Sequence, residues 1–135
     1  MEDGGVTGSR GLVVGLGARA GRSAEVLVAA VLSALSEVGA GPGDVRVLAT
    51  LDRRSAEDGV RAVAVAYGWE LVSFAAAQLA AQAVPNASER VAAAVGTPGV
   101  AEAAALAAAG SGAVLVLPKR VFAGVVVAVA STLPS

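Results

Sequence analysis

The sequence predicts an α/β fold, a single three-layer α/β/α domain with a mostly parallel sheet of about five strands. Two observations predict it. Short apolar runs of five to seven residues alternate with longer stretches of helical periodicity, and glycine or proline stands at most of the junctions. The chain is also 135 residues long, the usual size of one domain, with no internal repeat and no linker-like segment.

The elements follow in order. Residues 1–10 are acidic and glycine-rich and read as a flexible tail, leaving 11–135 as the domain. GLVVGLG (11–17) is an apolar run closed by glycines and reads as a buried first strand. Ser23 caps a helix running through residue 38, with apolar positions at Val26, Leu27, Ala30, Val31, Ala34, Leu35 and Val38. VRVLAT (45–50) is the second strand. Ser55 and Asp58 have capping-box spacing, so a second helix is predicted from Ser55 to Tyr67, stopped by Gly68. ELVSF (70–74) is the third strand. Short helices are expected over 75–82 and from Asn86 or Ser88 to residue 95. Thr97 caps a further helix that opens with Pro98 and ends at Gly110. Residues 113–117 and 125–130 form the last two strands, an antiparallel hairpin at one edge joined by about seven residues.

Composition excludes several chemistries. Cysteine and histidine are both absent, which removes thiolate nucleophiles, the commonest general base and the usual zinc ligands. No metal site and no cofactor is expected. A formal charge of −1 and 3% aromatic residues argue against nucleic acid as a partner. The longest uncharged run, 71–88, contains Gln78, Gln82, Pro85 and Asn86, so no membrane span is predicted. The N-terminus reads as neither signal nor transit peptide, and a cytoplasmic location is expected.

In open α/β sheets, ligands bind beyond the C-terminal ends of the strands. Six of the ten basic residues follow predicted strand ends: Arg19, Arg22, Arg53, Arg54, Lys119 and Arg120. Such a rim suits an anionic ligand, and the plain alternative is that loops are solvated and charged. GLGARAGRS (15–23) joins a strand to a helix and reads either as a tight turn or as a phosphate- or carboxylate-binding loop. VGTPGVAE (95–102) is a second glycine-flanked helix start. By itself it reads as a capped helix with Glu102 solvated or paired to Lys119. Asp52, Glu57 and Glu102 are the carboxylates near the rim, and Thr50 and Thr97 the hydroxyls. Any general base would come from a carboxylate, with Glu102 and Asp52 the candidates.

Five stretches in order carry a resemblance: GLGARAGRS (15–23), LATLDRRSAE (48–57), AVPNASE (83–89), VGTPGVAEAAAL (95–106), and VLPKR (116–120) ahead of VAVA (127–130). Together they resemble the cobalamin-biosynthesis family comprising CobE and the C-terminal domain of CbiG, over about residues 11–130. By position, the resemblance implies substrate-binding roles for Gly15, Gly17, Arg19, Thr50, Asp52, Arg54, Gly96, Thr97, Glu102 and Lys119. Its pattern also takes in Gly21, Ser23, Glu57, Pro85, Asn86, Ser88 and Val100. Family members often have Cys where this chain has Ala18, Lys where it has Arg54, and Pro where it has Ala87. Arginine keeps the charge at position 54 but not the reactivity of an amine.

The resemblance implies a vitamin B12 protein acting on a precorrin-type tetrapyrrole (corrinoid) intermediate. A CobE-like protein would bind the intermediate or assist its conversion. A CbiG-type protein would be a cobalt-precorrin-5A hydrolase, opening a lactone with release of acetaldehyde. A third reading is a non-catalytic domain that docks on another cobalamin-biosynthesis enzyme through an apolar patch at VFAGVVV (121–127). The many acetate and propionate groups of corrinoids agree with a basic rim.

Overall fold

A computed structural model describes residues 11–81, 98–110 and 113–131. The apolar runs become strands β1 (Leu12–Gly17), β2 (Val45–Leu51), β3 (Glu70–Phe74), β4 (Val114–Phe122) and β5 (Val125–Ser131). Helices α1 (Ala24–Glu37), α2 (Asp52–Ser55), α3 (Asp58–Tyr67), α4 (Ala76–Ala81) and α5 (Pro98–Ala109) complete the described elements. The helix predicted up to residue 95 lies outside the described residues, as does the N-terminal tail.

The strands form one sheet in the order β3-β2-β1-β5-β4. β1 and β3 flank β2 in parallel, while β5 runs antiparallel to both β1 and β4. The C-terminal ends of β1, β2 and β3 therefore share one rim, and β4 points the same way. All six residues of β1 and the first six of β5 are buried. Their unbroken apolar runs are what strands covered on both faces require.

Helices do cover both faces. Leu27, Val31 and Leu35 of α1 and Val60 and Val63 of α3 pack with Leu12, Val14, Leu16, Leu48 and Val127. On the opposite face, Ala104 and Ala105 of α5 and Leu79 of α4 pack with Val13, Ala49 and Ala130. Ala101 meets Val126 and Ala128 there. This is the predicted three-layer α/β/α arrangement.

Three details differ from the sequence reading. β4 continues five residues past Leu117 to Phe122, so Lys119 and Arg120 lie within it rather than after it. Register shifts between Leu115 and Leu117, and between Leu117 and Arg120, let the strand absorb extra residues. β4 is an edge strand in the described sheet, where the missing N–H of Pro118 is tolerated. The expected hairpin is consequently tight: Ala123 and Gly124 connect the strands with φ of 53° and 81°, the positive pair that favoured two-residue hairpins require.

The second difference concerns Ser55. It closes α2 by donating its hydroxyl to the Asp52 carbonyl at 2.7 Å, and α3 starts from Glu57 instead. The third concerns VFAGVVV. Its last three valines, Val125, Val126 and Val127, are core residues of β5, and Val121 is the large apolar residue there left exposed. An exposed patch was expected; β5 takes its last three valines into the core, while Val121, Ala123 and Gly124 stay exposed and Phe122 is half-buried.

Candidate functional site

The rim is organised by side chains that join one crossover to the next. Ser23 accepts the Val26 N–H at 3.3 Å and caps α1, as its sequence position predicts. The fully buried Thr50 donates to the Leu16 carbonyl at 2.8 Å, coupling the ends of β1 and β2. Glu57 bridges further. One carboxylate oxygen accepts the Gly21 N–H at 3.1 Å, and the other pairs with Arg54. The loop after β1 and the segment after β2 are thereby tied together.

α5 reaches the same rim by close contact. A Cβ added at Gly15 would lie 1.9 Å from the Ala101 carbonyl oxygen and 2.8 Å from the Ala105 nitrogen. Only glycine allows the α5 backbone to sit on β1 at this height. Gly15 thus acts here by admitting the helix, and its open side faces α5. Gly17 is buried at the end of β1. The first turns of α5 stand beside the C-terminal end of β1, as the two glycine-rich motifs suggested. Gly96 and Thr97 lie outside the described residues.

Glu102 is neither solvated nor peripheral. It is 4% exposed, and its Oε2 accepts the backbone N–H of Lys119 at 3.0 Å. The register shift in β4 falls at this point, so the carboxylate receives an N–H there from outside the sheet ladder. Its Oε1 is buried and has no partner among the described residues.

The other predicted site residues are distributed as follows. Arg19 and Asp52 are exposed on the rim, Asp52 at the start of α2 where a carboxylate suits the helix end. Arg54 is on the rim but engaged by Glu57. Lys119 lies in β4 behind Glu102, with its side chain half-buried. Arg120 is already paired: its Nε is 3.1 Å from Glu37, the last residue of α1.

Sequence reasoning counted Arg22 among the basic residues but did not single it out. Its Nε is buried with no partner among the described residues, and its Nη2 lies at the β4–β5 turn, 2.7 Å from where a Cβ on Gly124 would be. Nothing in the sequence separates Arg22 from Arg19; only packing does. An open depression of about 480 Å³ adjoins it, lined by Gly21, Arg22, Ala56, Glu57, Asp58 and Gly59. Among the described residues no group of three His, Cys, Asp or Glu side chains could hold a metal ion, and no helix is long and apolar enough to cross a membrane.

Comparison with known proteins adds the identity of the fold. Residues 12–130 match the family model described as cobalamin synthesis G C-terminus, which covers nearly the whole chain. The chain belongs to that family. The protein CobE of Sinorhizobium sp is 42% identical to it over 122 residues, which are 89% of this chain and 79% of CobE. The cobalt-precorrin-5A hydrolase of Priestia megaterium is 29% identical over 120 residues, 89% of this chain but 32% of the hydrolase. The crystal structure of CobE, a protein from the cobalamin (vitamin B12) biosynthetic pathway, superimposes with a TM-score of 0.76 at 32% identity, covering 93% of this chain and 92% of that one. This member of the CbiG C-terminal family is a CobE-like cobalamin-biosynthesis protein, as the five motifs implied.

Proposed function

We propose that this domain binds a precorrin-type tetrapyrrole at the C-terminal rim of its sheet and carries it or assists its conversion. The observation that carries the reading is the convergence on one rim of the Arg19–Arg22 loop, the Arg53–Arg54 helix and the first turns of α5. Corrin precursors are ringed with carboxylates, and clustered cations beside helix N-termini attract such groups. The chain also spans most of CobE and only about a third of the hydrolase. The test is a titration with cobalt-free and cobalt-containing precorrins, read as a shifted absorption band. Arg19→Ala and Lys119→Ala should each weaken binding about tenfold, given roughly 1.5–3 kcal/mol for a partly buried charge-assisted contact. Failure of every corrinoid to bind would refute the proposal.

One observation favours the hydrolytic alternative: Glu102 Oε1 is a buried carboxylate oxygen without a partner among the described residues, and a carboxylate is the group here that can take a proton from water. If the isolated chain releases acetaldehyde from cobalt-precorrin-5A, and Glu102→Gln abolishes release while binding persists, the domain is the catalyst. Binding without acetaldehyde supports the carrier.

A further inference from the structure

Leu117 and Lys119 are two positions apart in β4, and in a regular strand they would share a face. Here they do not. Leu117 pairs with Val129, and both belong to the core beneath α1. Arg120 pairs with Val127 on that same face, where its guanidinium meets Glu37 of α1. Between these two pairs β4 has Pro118 and Lys119 where β5 has Ala128 alone. Ala128 lies on the opposite face, packed with Ala101 of α5. Two residues against one make a β-bulge. The bulge keeps Leu117 in the core beneath α1 while Lys119, alternating with Arg120, falls on the α5 face.

A bulge leaves a backbone N–H without a partner in the ladder, and a buried N–H left that way is costly. Glu102 answers this need, because its Oε2 accepts the Lys119 N–H at 3.0 Å. The carboxylate is carried by a helix with no room to shift. It follows Ala101, whose carbonyl oxygen would lie 1.9 Å from a Cβ on Gly15. Gly15 in turn pairs with Ala128, so Lys119 is held two residues short of the end of β1. Glu102 itself is 4% exposed, too enclosed to meet a macrocycle lying across the rim, whereas Lys119 is half-buried and keeps surface.

We infer that Glu102 is a positioning residue: by holding the bulge it sets Lys119 on the α5 side of the rim for the tetrapyrrole, and it does not itself touch the ligand. This deepens the tetrapyrrole-binding reading and rests on it. The bond is made to the Lys119 backbone, so it fixes where that side chain starts and not where it ends. An amide oxygen can accept an N–H as a carboxylate oxygen does, so the role requires an acceptor at position 102 and not a charge.

The probe is uroporphyrin III, an octacarboxylic tetrapyrrole, titrated by fluorescence against the whole chain and its variants. Lys119→Ala should weaken binding about tenfold, and Glu102→Ala by a similar factor. The double variant should bind no worse than Lys119→Ala alone, because Glu102 acts through Lys119; independent contacts would multiply the two losses. Glu102→Gln keeps an acceptor oxygen and should stay within about twofold of wild type. A merely structural glutamate would lower the melting temperature of Glu102→Ala and leave the affinity of its folded fraction unchanged. That result, multiplied losses in the double variant, wild-type affinity in Lys119→Ala, or a Glu102→Gln as weak as Glu102→Ala overturns this inference while the binding reading survives. Amide exchange at Lys119, followed without ligand, should be slow in wild type and in Glu102→Gln, and fast exchange there in wild type would overturn it too. If wild type binds no carboxylated tetrapyrrole, both fall.

Discussion

On one face of the sheet, Leu27, Val31 and Leu35 of α1 and Val60 and Val63 of α3 fill the space over β1 and β2 with branched aliphatic volume. On the other, Ala101, Ala104 and Ala105 of α5 bring a helix backbone onto the strands themselves, down to a carbonyl seated over Gly15. The first face gains free energy mainly from apolar area removed from water. Each alanine on the second contributes little area, so that face relies on close dispersion contact. The difference has a functional side. Side chains can adjust by changing rotamer, but two backbones in contact cannot, and α5 is the element that delivers Glu102 to the rim. The tighter face is therefore the one that positions motif residues.

The largest effect that could break this comparison is Gly15→Ala. Overpacking usually costs roughly 1–3 kcal/mol, and a methyl forced against two backbone atoms should exceed that, at about 4 kcal/mol. Leu35→Ala, opposite in sense and on the other face, should cost about 3 kcal/mol. Urea denaturation of both variants compares the faces directly. A mild Gly15→Ala, below about 1 kcal/mol, would show that α5 has slack and end the argument.

Next in size is Glu102. Glu102→Ala strands the Lys119 N–H and should cost about 1–3 kcal/mol, whereas Glu102→Gln keeps an acceptor oxygen and should retain most of that. Equal melting curves for the two variants would mean the hydrogen bond does not hold β4 to α5. The smallest effect is expected at Thr50. Thr50→Val keeps the shape and loses the hydroxyl that reaches Leu16, for about 1 kcal/mol. Its influence should appear as faster amide exchange at the ends of β1 and β2, and unchanged exchange there would remove Thr50 from the rim's support.

Much of this was legible because the deciding signals are local. Ser23 caps α1 where a serine before an apolar periodicity predicts it, and ELVSF coincides with β3. The apolar run of β1 announced a buried strand. Where the reading failed, a local signal was overruled by tertiary context. Pro118-Lys119-Arg120 looks like a turn, yet register shifts at the sheet edge carry β4 through it. Ser55 has the spacing of a cap, but its hydroxyl turns back to Asp52, while the Glu57 carboxylate is drawn to Gly21 and Arg54. The three valines that close VFAGVVV look like part of a patch only until β5 is known to be an inner strand.

The candidate site divides the same way. Composition and order alone determined the α/β class, the family resemblance and the exclusion of histidine and cysteine chemistry, because residue identities and short-range spacing suffice for these. Which cations remain available was decided by the folded chain. Arg54 meets Glu57 three residues away, a pairing spacing could suggest, but Arg120 finds Glu37 83 residues earlier in the chain. The Arg22 Nε is left without a partner among the described residues, its guanidinium beside a turn 102 residues beyond it (124 minus 22). Hydrogen-bond satisfaction of a buried group depends on every atom around it, and for these residues most of those atoms come from distant parts of the sequence that only the packed sheet brings together.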